Sequence, residues 1–345
     1  MRAYVVKEWK HPSELALVHN APEPVTGPED VLVDVHSAGL NFFDILQAQG
    51  KYQVKPPFPF TLGAEFAGKI ASNSQIPKGC PFKSGDRVFG SAQGAFADRI
   101  AVKWKTIIPL PDNLTFDQGA GLFITWPTSY EALVGRAELK PGETILINAA
   151  AGGVGIAAVQ LAKVLGARVI AAAGSQSKLD ICKQYAGADY TVDYTTPDWQ
   201  KQVLVITEGR GVDVVYDPVG RIKGKLMVFL DSLKCIAFKG RALVIGFAAG
   251  QIENLPLNLV LLKNISIMGL HWGLYAHKEP SRIVVVWKEL LSLLSSGKVK
   301  PVVYSTVYPL AHAMEGLGAL ERRETWGKVV VRVRDDEDAK AMAKL

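Results

Sequence analysis

The sequence predicts an α/β protein in which a doubly wound parallel sheet of six strands is joined to a smaller β domain of barrel type. Three observations predict it. The stretch 144–166, TILINAAAGGVGIAAVQLAKVLG, reads as a buried strand, a turn of small residues and a helix. From about 125 to 270, strand-like and helix-like segments alternate. Before that, short alternating apolar runs are separated by Gly and Pro, the grammar of a small barrel-like β domain.

In chain order, Asp30 to His36 (DVLVDVH) alternates, with Val31, Val33 and Val35 on one face. Gly85 to Gly90 (GDRVFG) reads as a turn entering a short strand. Pro56, Pro57 and Pro59 place their segment in a surface loop, because proline cannot donate to a central ladder. The expected strands of the parallel sheet are Thr144–Asn148, Arg168–Ala172, Tyr190–Tyr194, Val212–Asp217, Arg241–Ile245 and Ser266–Gly269. A helix over Arg282–Ser296 leads back to β-like sequence at Val302–Val307 and Lys328–Val333. The expected division is 1–124 for the first part of the β domain, 125–270 for the dinucleotide-binding (Rossmann) domain, and 271–345 for a helix and return to the first domain.

With 48% hydrophobic and 21% charged residues, composition is that of an ordinary globular chain. No apolar run reaches the roughly 18 residues that cross a membrane, and MRAYVVKEWK contains no secretory core. Three widely spaced cysteines, Cys80, Cys182 and Cys235, argue against a disulfide framework and for a reducing, cytoplasmic setting. The last residues, Ala343-Lys344-Leu345, also fit a relaxed peroxisomal C-terminal signal. A net charge of +6 suits an anionic cofactor or substrate. No basic run with interleaved aromatics points to nucleic acid.

The turn AAAGGVG carries the first chemistry. Ala150 stands in the first glycine slot of a dinucleotide fingerprint, Gly152 lets the backbone approach a pyrophosphate, and Gly155 lets the helix pack tightly on its strand. The N–H groups of Gly153, Val154 and Gly155 at the helix start then face the phosphates, where the helix dipole also favours negative charge. NAD enzymes place a carboxylate about 20 residues after this turn to bond the ribose 2′-hydroxyl. The corresponding end reads Ala171-Ala172-Ala173-Gly174-Ser175-Gln176-Ser177-Lys178, with hydroxyls and a cation instead, so the expected cofactor is NADPH. Asp180, the first acid, fits a capping box with Ser177.

The ordered motifs AGLNFFD (38–44), GAEFAG (63–68), GDRVFG (85–90), TSYEAL (128–133), AAAGGVG (149–155), DPVG (217–220) and RETWGKVVV (323–331) extend over essentially the whole chain. Together they resemble the medium-chain dehydrogenase/reductase superfamily, in its zinc-free quinone oxidoreductase (zeta-crystallin-like) branch. The resemblance implies a GroES-like catalytic domain beside the Rossmann domain. Zinc-dependent relatives place a Cys and a His where this chain has Asn41 and Ala64, and its six histidines show no paired spacing. No metal is therefore expected. Without a Lewis acid, alcohol oxidation gives way to reduction of acceptors that spread charge by conjugation.

The resemblance also implies roles for single residues. Asn41 would orient the nicotinamide ribose or a substrate oxygen; as a turn residue it would simply hold the strand-to-helix corner. Asp44 would be an N-cap or a polar group of the site, and Glu65 a structural carboxylate. Tyr52 would donate to a developing enolate or quinol oxygen, or serve as an aromatic lid. Leu46 replaces a second tyrosine common in the family, which makes the cleft wall more apolar. Thr128 would lie near the nicotinamide or cap a helix, and Tyr194 and Arg323 would lie beside the adenosine phosphate, Arg322 being the alternative register. Phe247, His271 and Trp272 fall after the fifth and sixth strands, where cofactor contacts collect.

The expected function is an NADPH-dependent, zinc-independent reductase of quinones or α,β-unsaturated carbonyl compounds. One alternative is a trans-2-enoyl-thioester reductase. Another, of a different class, is a non-catalytic crystallin-like or RNA-binding protein. A homodimer is expected across the apolar edge strand at 265–269, since an exposed edge is normally paired or covered.

Overall fold

The computed structural model describes residues 1–334 except 223–225, 249 and 251. Ala343-Lys344-Leu345 and the charged tail lie outside the described residues. The chain forms two compact units, one of Met1–Ile124 with the described residues from Pro301 onward, the other of Thr125–Lys300.

In the first unit the long strand β1 (Asp30–Gly39) leads to helix α1 (Phe42–Ala48). Strands β2 (Glu65–Ile70), β3 (Arg87–Ser91), β4 (Arg99–Lys103) and β5 (Ile107–Pro109) follow. β1 pairs antiparallel with β2 along one edge. On its other edge Asp30–Asp34 pair with β4. Val31, Val33 and Val35 are fully buried, as their alternation predicts, and pack with Phe66, Ile70 and Val88 in the core. Residues 51–59 form a loop without strand or helix, and Trp9 closes over it against Phe58.

The second unit opens with helix α2 (Thr125–Tyr130) and a π-helical turn over Glu131–Arg136. The alternation then runs β6 (Thr144–Ile147), α3 (Gly153–Val164), β7 (Arg168–Ala173), α4 (Gln176–Ala186), β8 (Tyr190–Asp193), α5 (Trp199–Ile206) and β9 (Val212–Asp217). β10 (Ile236–Val244), helix α6 (Leu257–Lys263), β11 (Ser266–Gly269) and helix α7 (Pro280–Ser295) complete it. The six strands form one parallel sheet in the order β8-β7-β6-β9-β10-β11. This is the doubly wound order, and the strand order reverses between β6 and β9. β10 begins five residues before its expected start at Arg241, through a bulge that carries the register from Val212–Ile236 to Val214–Arg241. Lys239 takes a left-handed backbone there, and the exposed Phe238 breaks the apolar run that a strand reading looks for.

Helix α7 belongs to the second unit, so the chain changes unit at Lys300–Pro301 rather than at 270. Arg282 on this helix bonds Glu131 at 2.9 Å, and Val286, Trp287, Leu290 and Leu294 are its buried face. Beyond Pro301, β12 (Tyr308–Pro309) and β13 (Val330–Arg332) return to the first sheet, where β13 pairs antiparallel with Ser37–Gly39 of β1. Among the described residues no helix is long and apolar enough to cross a membrane.

Candidate functional site

In the second unit the polar groups gather where the strands of the sheet end. All four residues of β6 are buried, and Asn148 follows them. Ala149 then turns the chain in the left-handed region, φ 46°, a conformation that costs a non-glycine residue free energy. The left-handed residue is thus one position ahead of the slot filled by Ala150. The Ala150 N–H donates to the Ala172 carbonyl at 3.0 Å and ties the turn to the end of β7.

Gly152 caps α3 with extended backbone. A Cβ on it would meet only the Ala149 carbonyl oxygen at 3.3 Å, so the space above the helix start is open. Gly155 is the opposite case. A Cβ there would lie 2.7 Å from Ala150 Cα and closer still to the Ala149 oxygen. The first N–H groups of a helix have no intrahelical acceptor, and those of Gly153, Val154 and Gly155 begin a helix of 12 residues. These are the features an anionic pyrophosphate requires.

At the end of β7, Ser175 is the N-cap residue of α4. Its hydroxyl lies 3.2 Å from that of Ser177. The Ser177–Asp180 capping box does not form. Ser177 is already inside the helix, and Asp180 instead accepts from Gln176 Nε2 at 2.8 Å. Lys178 is half-buried on the first turn. The Tyr194 ring packs beside Gly174, so Tyr194 and the Ser175 corner share one edge of the sheet. Among residues 171–178 there is no carboxylate.

Thr128 lies inside helix α2, which starts at Thr125, so it does not cap the helix. Its neighbour Ser129, which the sequence reading missed, donates to the Val154 carbonyl at 2.8 Å and meets the Tyr216 hydroxyl at 3.0 Å. Asn148 donates to Asp217 at 2.7 Å and to Ser232 Oγ at 2.8 Å. The other Asp217 oxygen accepts from the N–H groups of Val219 and Gly220, both at 2.7 Å. Burial raises the Asp217 pKa despite these bonds. This buried polar floor braces the ends of β6 and β9. Phe247 follows β10 and is exposed. His271 and Trp272 follow β11, and Trp272 stacks on Tyr275 at 4.9 Å.

The first unit holds a different kind of polar centre. Asn41 is the N-cap residue of α1, so Asp44 is not the cap but the third helical residue. The Asp44 carboxylate accepts from the Asn41 backbone N–H at 2.8 Å. The Asn41 side chain turns the other way. Its Nδ2 donates to Glu65 Oε1 at 2.8 Å and to the Gly39 carbonyl at 3.3 Å. Its Oδ1 accepts from Lys328 Nζ at 2.7 Å. Lys328 also pairs with Glu65, and both are buried. Glu65 is therefore half of an internal ion pair, and Lys328 is a residue the sequence reading did not single out. The GK of RETWGKVVV was the only signal for it.

Asp44 is fully buried, and its Oδ1 has no hydrogen-bond partner. Burial, with Glu65 nearby, pushes its pKa up to about 8 against the opposing pull of the Asn41 bond and Lys328. Tyr52 is half-buried and stacks on Phe43 at 5.2 Å. Burial, then Asp44, raises its phenol pKa. Arg322 pairs with Glu324 at 2.8 and 2.9 Å, whereas Arg323 takes a left-handed backbone, φ 59°. Among the described residues no group of three or more His, Cys, Asp and Glu could hold a metal ion.

Residues 27–112 match the alcohol dehydrogenase GroES-like domain family, and residues 153–295 match the zinc-binding dehydrogenase family. The chain is 38% identical to quinone oxidoreductase-like protein 2 of Mus musculus, over 96% of this chain and 92% of that one. It is 33% identical to a quinone oxidoreductase of Pseudomonas aeruginosa, over 88% of this chain and 91% of the other. Among solved structures, the quinone oxidoreductase of Escherichia coli complexed with NADPH superposes with a TM-score of 0.85 at 29% identity, over 96% of this chain and 100% of that one. Domain pair, strand order and whole-length similarity agree: the chain belongs to the medium-chain dehydrogenase/reductase superfamily of oxidoreductases, in its quinone oxidoreductase branch.

Proposed function

We propose that the protein is an NADPH-dependent reductase of quinones or α,β-unsaturated carbonyl compounds. One observation carries the reading: an open glycine turn at a helix start, followed at the end of the next strand by Ser175, Ser177 and Lys178 with no carboxylate. The E. coli relative bound to NADPH supports it. In this reading NADPH supplies the hydride. The N–H groups of Gly153, Val154 and Gly155 bind the pyrophosphate, and Gly152 leaves it room. Ser175 and Lys178 accept a 2′-phosphate that a carboxylate would repel. Tyr194 and Arg323 complete the phosphate end, and Thr128, Phe247, His271 and Trp272 contact the rest of the cofactor.

Asn41 and Tyr52 are assigned to the reacting end, Asn41 through its amide and Tyr52 through its phenol. A phenol is protonated at neutral pH, and burial and Asp44 raise the Tyr52 pKa further, so Tyr52 enters the reaction protonated and passes its proton only to a strongly basic oxygen such as that of an enolate. Asn41 and Ala64 supply neither thiolate nor imidazole, which favours acceptors that delocalise charge over those needing an alkoxide stabilised. The test is a panel of 1,4-benzoquinone, a simple enone and a trans-2-enoyl-CoA with NADPH and NADH side by side. Oxidation of NADPH by the quinone or the enone, with NADH at least tenfold poorer, is expected. Turnover confined to the enoyl thioester, or NADH preferred, would overturn the reading.

We also propose a homodimer. β11 is a sheet edge, and Leu257, Leu261 and Leu262 of the preceding helix are exposed. A monomeric mass by light scattering at micromolar concentration would contradict it.

A further inference from the structure

We infer that Lys328 is a positioning residue that, with Glu65, fixes which way the Asn41 amide faces. The inference rests on the proposed role of Asn41 toward the cofactor.

The two ends of an asparagine amide are nearly equal in shape but opposite in hydrogen bonding. A turn asparagine could present either end to a ligand. Here each end has a partner of opposite charge. The carboxylate of Glu65 accepts from Nδ2, and the ammonium of Lys328 donates to Oδ1. Flipping the amide would set NH₂ against the ammonium and the carbonyl against the carboxylate. Both contacts are charge-assisted and lie in a buried cluster, where such bonds are stronger than in water. One orientation is therefore selected.

The backbone is shaped around this arrangement. The Lys328 N–H donates to the Val302 carbonyl, and its carbonyl accepts from the Tyr304 N–H, both at 2.8 Å. The next residue, Val329, accepts from the Leu40 N–H at 2.9 Å, which seats Lys328 beside the end of β1. A Cβ on Gly121 would come 2.6 Å from Lys328 Cγ. A Cβ on Gly39 would come 2.7 Å from Glu65 Oε1. The second Glu65 oxygen accepts from the Ile124 N–H at 3.2 Å. Two glycines thus leave the room that the lysine stem and the carboxylate occupy, and every member of the trio is held from its own side.

A pair that only stabilised the fold would change stability and leave ligand binding by the folded protein alone. A pair that acts through Asn41 must show its effect only while Asn41 is present. The experiment is a double-mutant cycle read by the NADPH dissociation constant, measured by cofactor fluorescence on wild type, Asn41→Ala, Lys328→Met and the double variant. Each single change is expected to weaken binding about tenfold, Asn41→Ala by removing the amide and Lys328→Met by releasing its orientation. The double variant is expected to bind like Asn41→Ala alone. Because Lys328→Met strands the Glu65 charge, Lys328→Met/Glu65→Gln is run beside it, with and without Asn41→Ala, and should reproduce the cycle without a folding defect.

Wild-type affinity in folded Lys328→Met/Glu65→Gln would overturn the inference. So would independent, multiplicative losses in the double variant. Wild-type affinity in Asn41→Ala would sink the reading of Asn41 itself and the positioning role with it, and the acceptor panel judges the proposed reaction separately.

Discussion

The two units solve the problem of placing polar groups in opposite ways. In the second unit the site is built mostly from backbone and from what is missing. Gly152 leaves space, Gly155 permits close packing, and the end of β7 lacks a carboxylate. In the first unit the site is built from side chains that are far apart in sequence. Asn41, Glu65 and Lys328 meet through contacts that span 24, 263 and 287 positions. The difference teaches where each is fragile. A backbone site fails when a side chain intrudes. A buried ionic site fails when one partner is removed.

The largest expected effect follows from that. Glu65→Ala leaves the Lys328 ammonium buried without its counter-ion and Asn41 Nδ2 with only its longer bond to the Gly39 carbonyl. Removing one partner of a buried pair costs about 3–5 kcal/mol. The melting temperature should fall by roughly 10 °C, by the usual conversion for a domain of this size. Scanning calorimetry checks it. An unchanged melting temperature would mean that the cluster is not the buried ionic centre described.

Next in size is the intruding side chain. In Gly155→Ala the new methyl group meets backbone atoms of Ala149 and Ala150, which cannot swing aside as a flexible side chain can. Overpacking of this kind costs about 1–3 kcal/mol. NADPH affinity should fall together with stability, since the helix must move off the turn. Gly152→Ala, where a Cβ meets a single oxygen at 3.3 Å, a snug contact relieved by a shift of a few tenths of an ångström, should cost less stability. Equal stability losses in the two variants would break the distinction drawn between these glycines.

The same contrast explains what could be read from the sequence. The parallel sheet was legible because strand, turn and helix lie together in residues 144–166, and each expected strand recurs within a residue or two, except the start of β10. That start was hidden because a bulge and the exposed Phe238 interrupt the periodicity. The first unit's β1 was legible through Val31, Val33 and Val35. Lys328 was not, because a lysine after glycine in a C-terminal segment reads as solvated, and nothing local indicates that its partners lie near residues 41 and 65. Ser129, Asn148 and Asp217 were hidden for a similar reason. Their contacts join neighbouring strands and helices, so chain order gives the elements but not the bonds.

A smaller effect separates binding from stability. Lys178→Ala should weaken NADPH binding about tenfold and leave NADH nearly unchanged, because one charge-assisted contact to the 2′-phosphate is lost. The residue is half-buried on the first turn of α4, where a lysine's polar contacts are worth about 0–1 kcal/mol, so the melting temperature should move by a few degrees at most. Titration with both cofactors checks it. Equal losses for NADPH and NADH would place Lys178 outside the 2′-phosphate site and weaken the cofactor assignment made at the end of β7.

The smallest effect is the most specific to the first unit. Asp44 is buried among Asn41, Glu65, Lys328 and Tyr52, and its pKa is pushed up to about 8. In the unfolded chain it should titrate near 4, at about the ordinary aspartate value. Between those values the folded protein holds a proton that the unfolded chain has released. Unfolding therefore releases a proton, and stability contributed by this group is complete below about pH 4 and declines as pH rises toward 8. Asp44→Asn keeps an acceptor for the Asn41 N–H and removes the titration. Its melting temperature should thus fall less than that of wild type between pH 5 and pH 8, by about a few degrees. Asp217 and Glu253, also raised by burial, titrate in the same direction and remain in the variant, so some slope persists. A slope identical to wild type would mean that Asp44 is already ionised in the folded protein. The Lys328 charge would then be shared between two carboxylates, and the ion pair with Glu65 would no longer be the sole electrostatic anchor of Asn41.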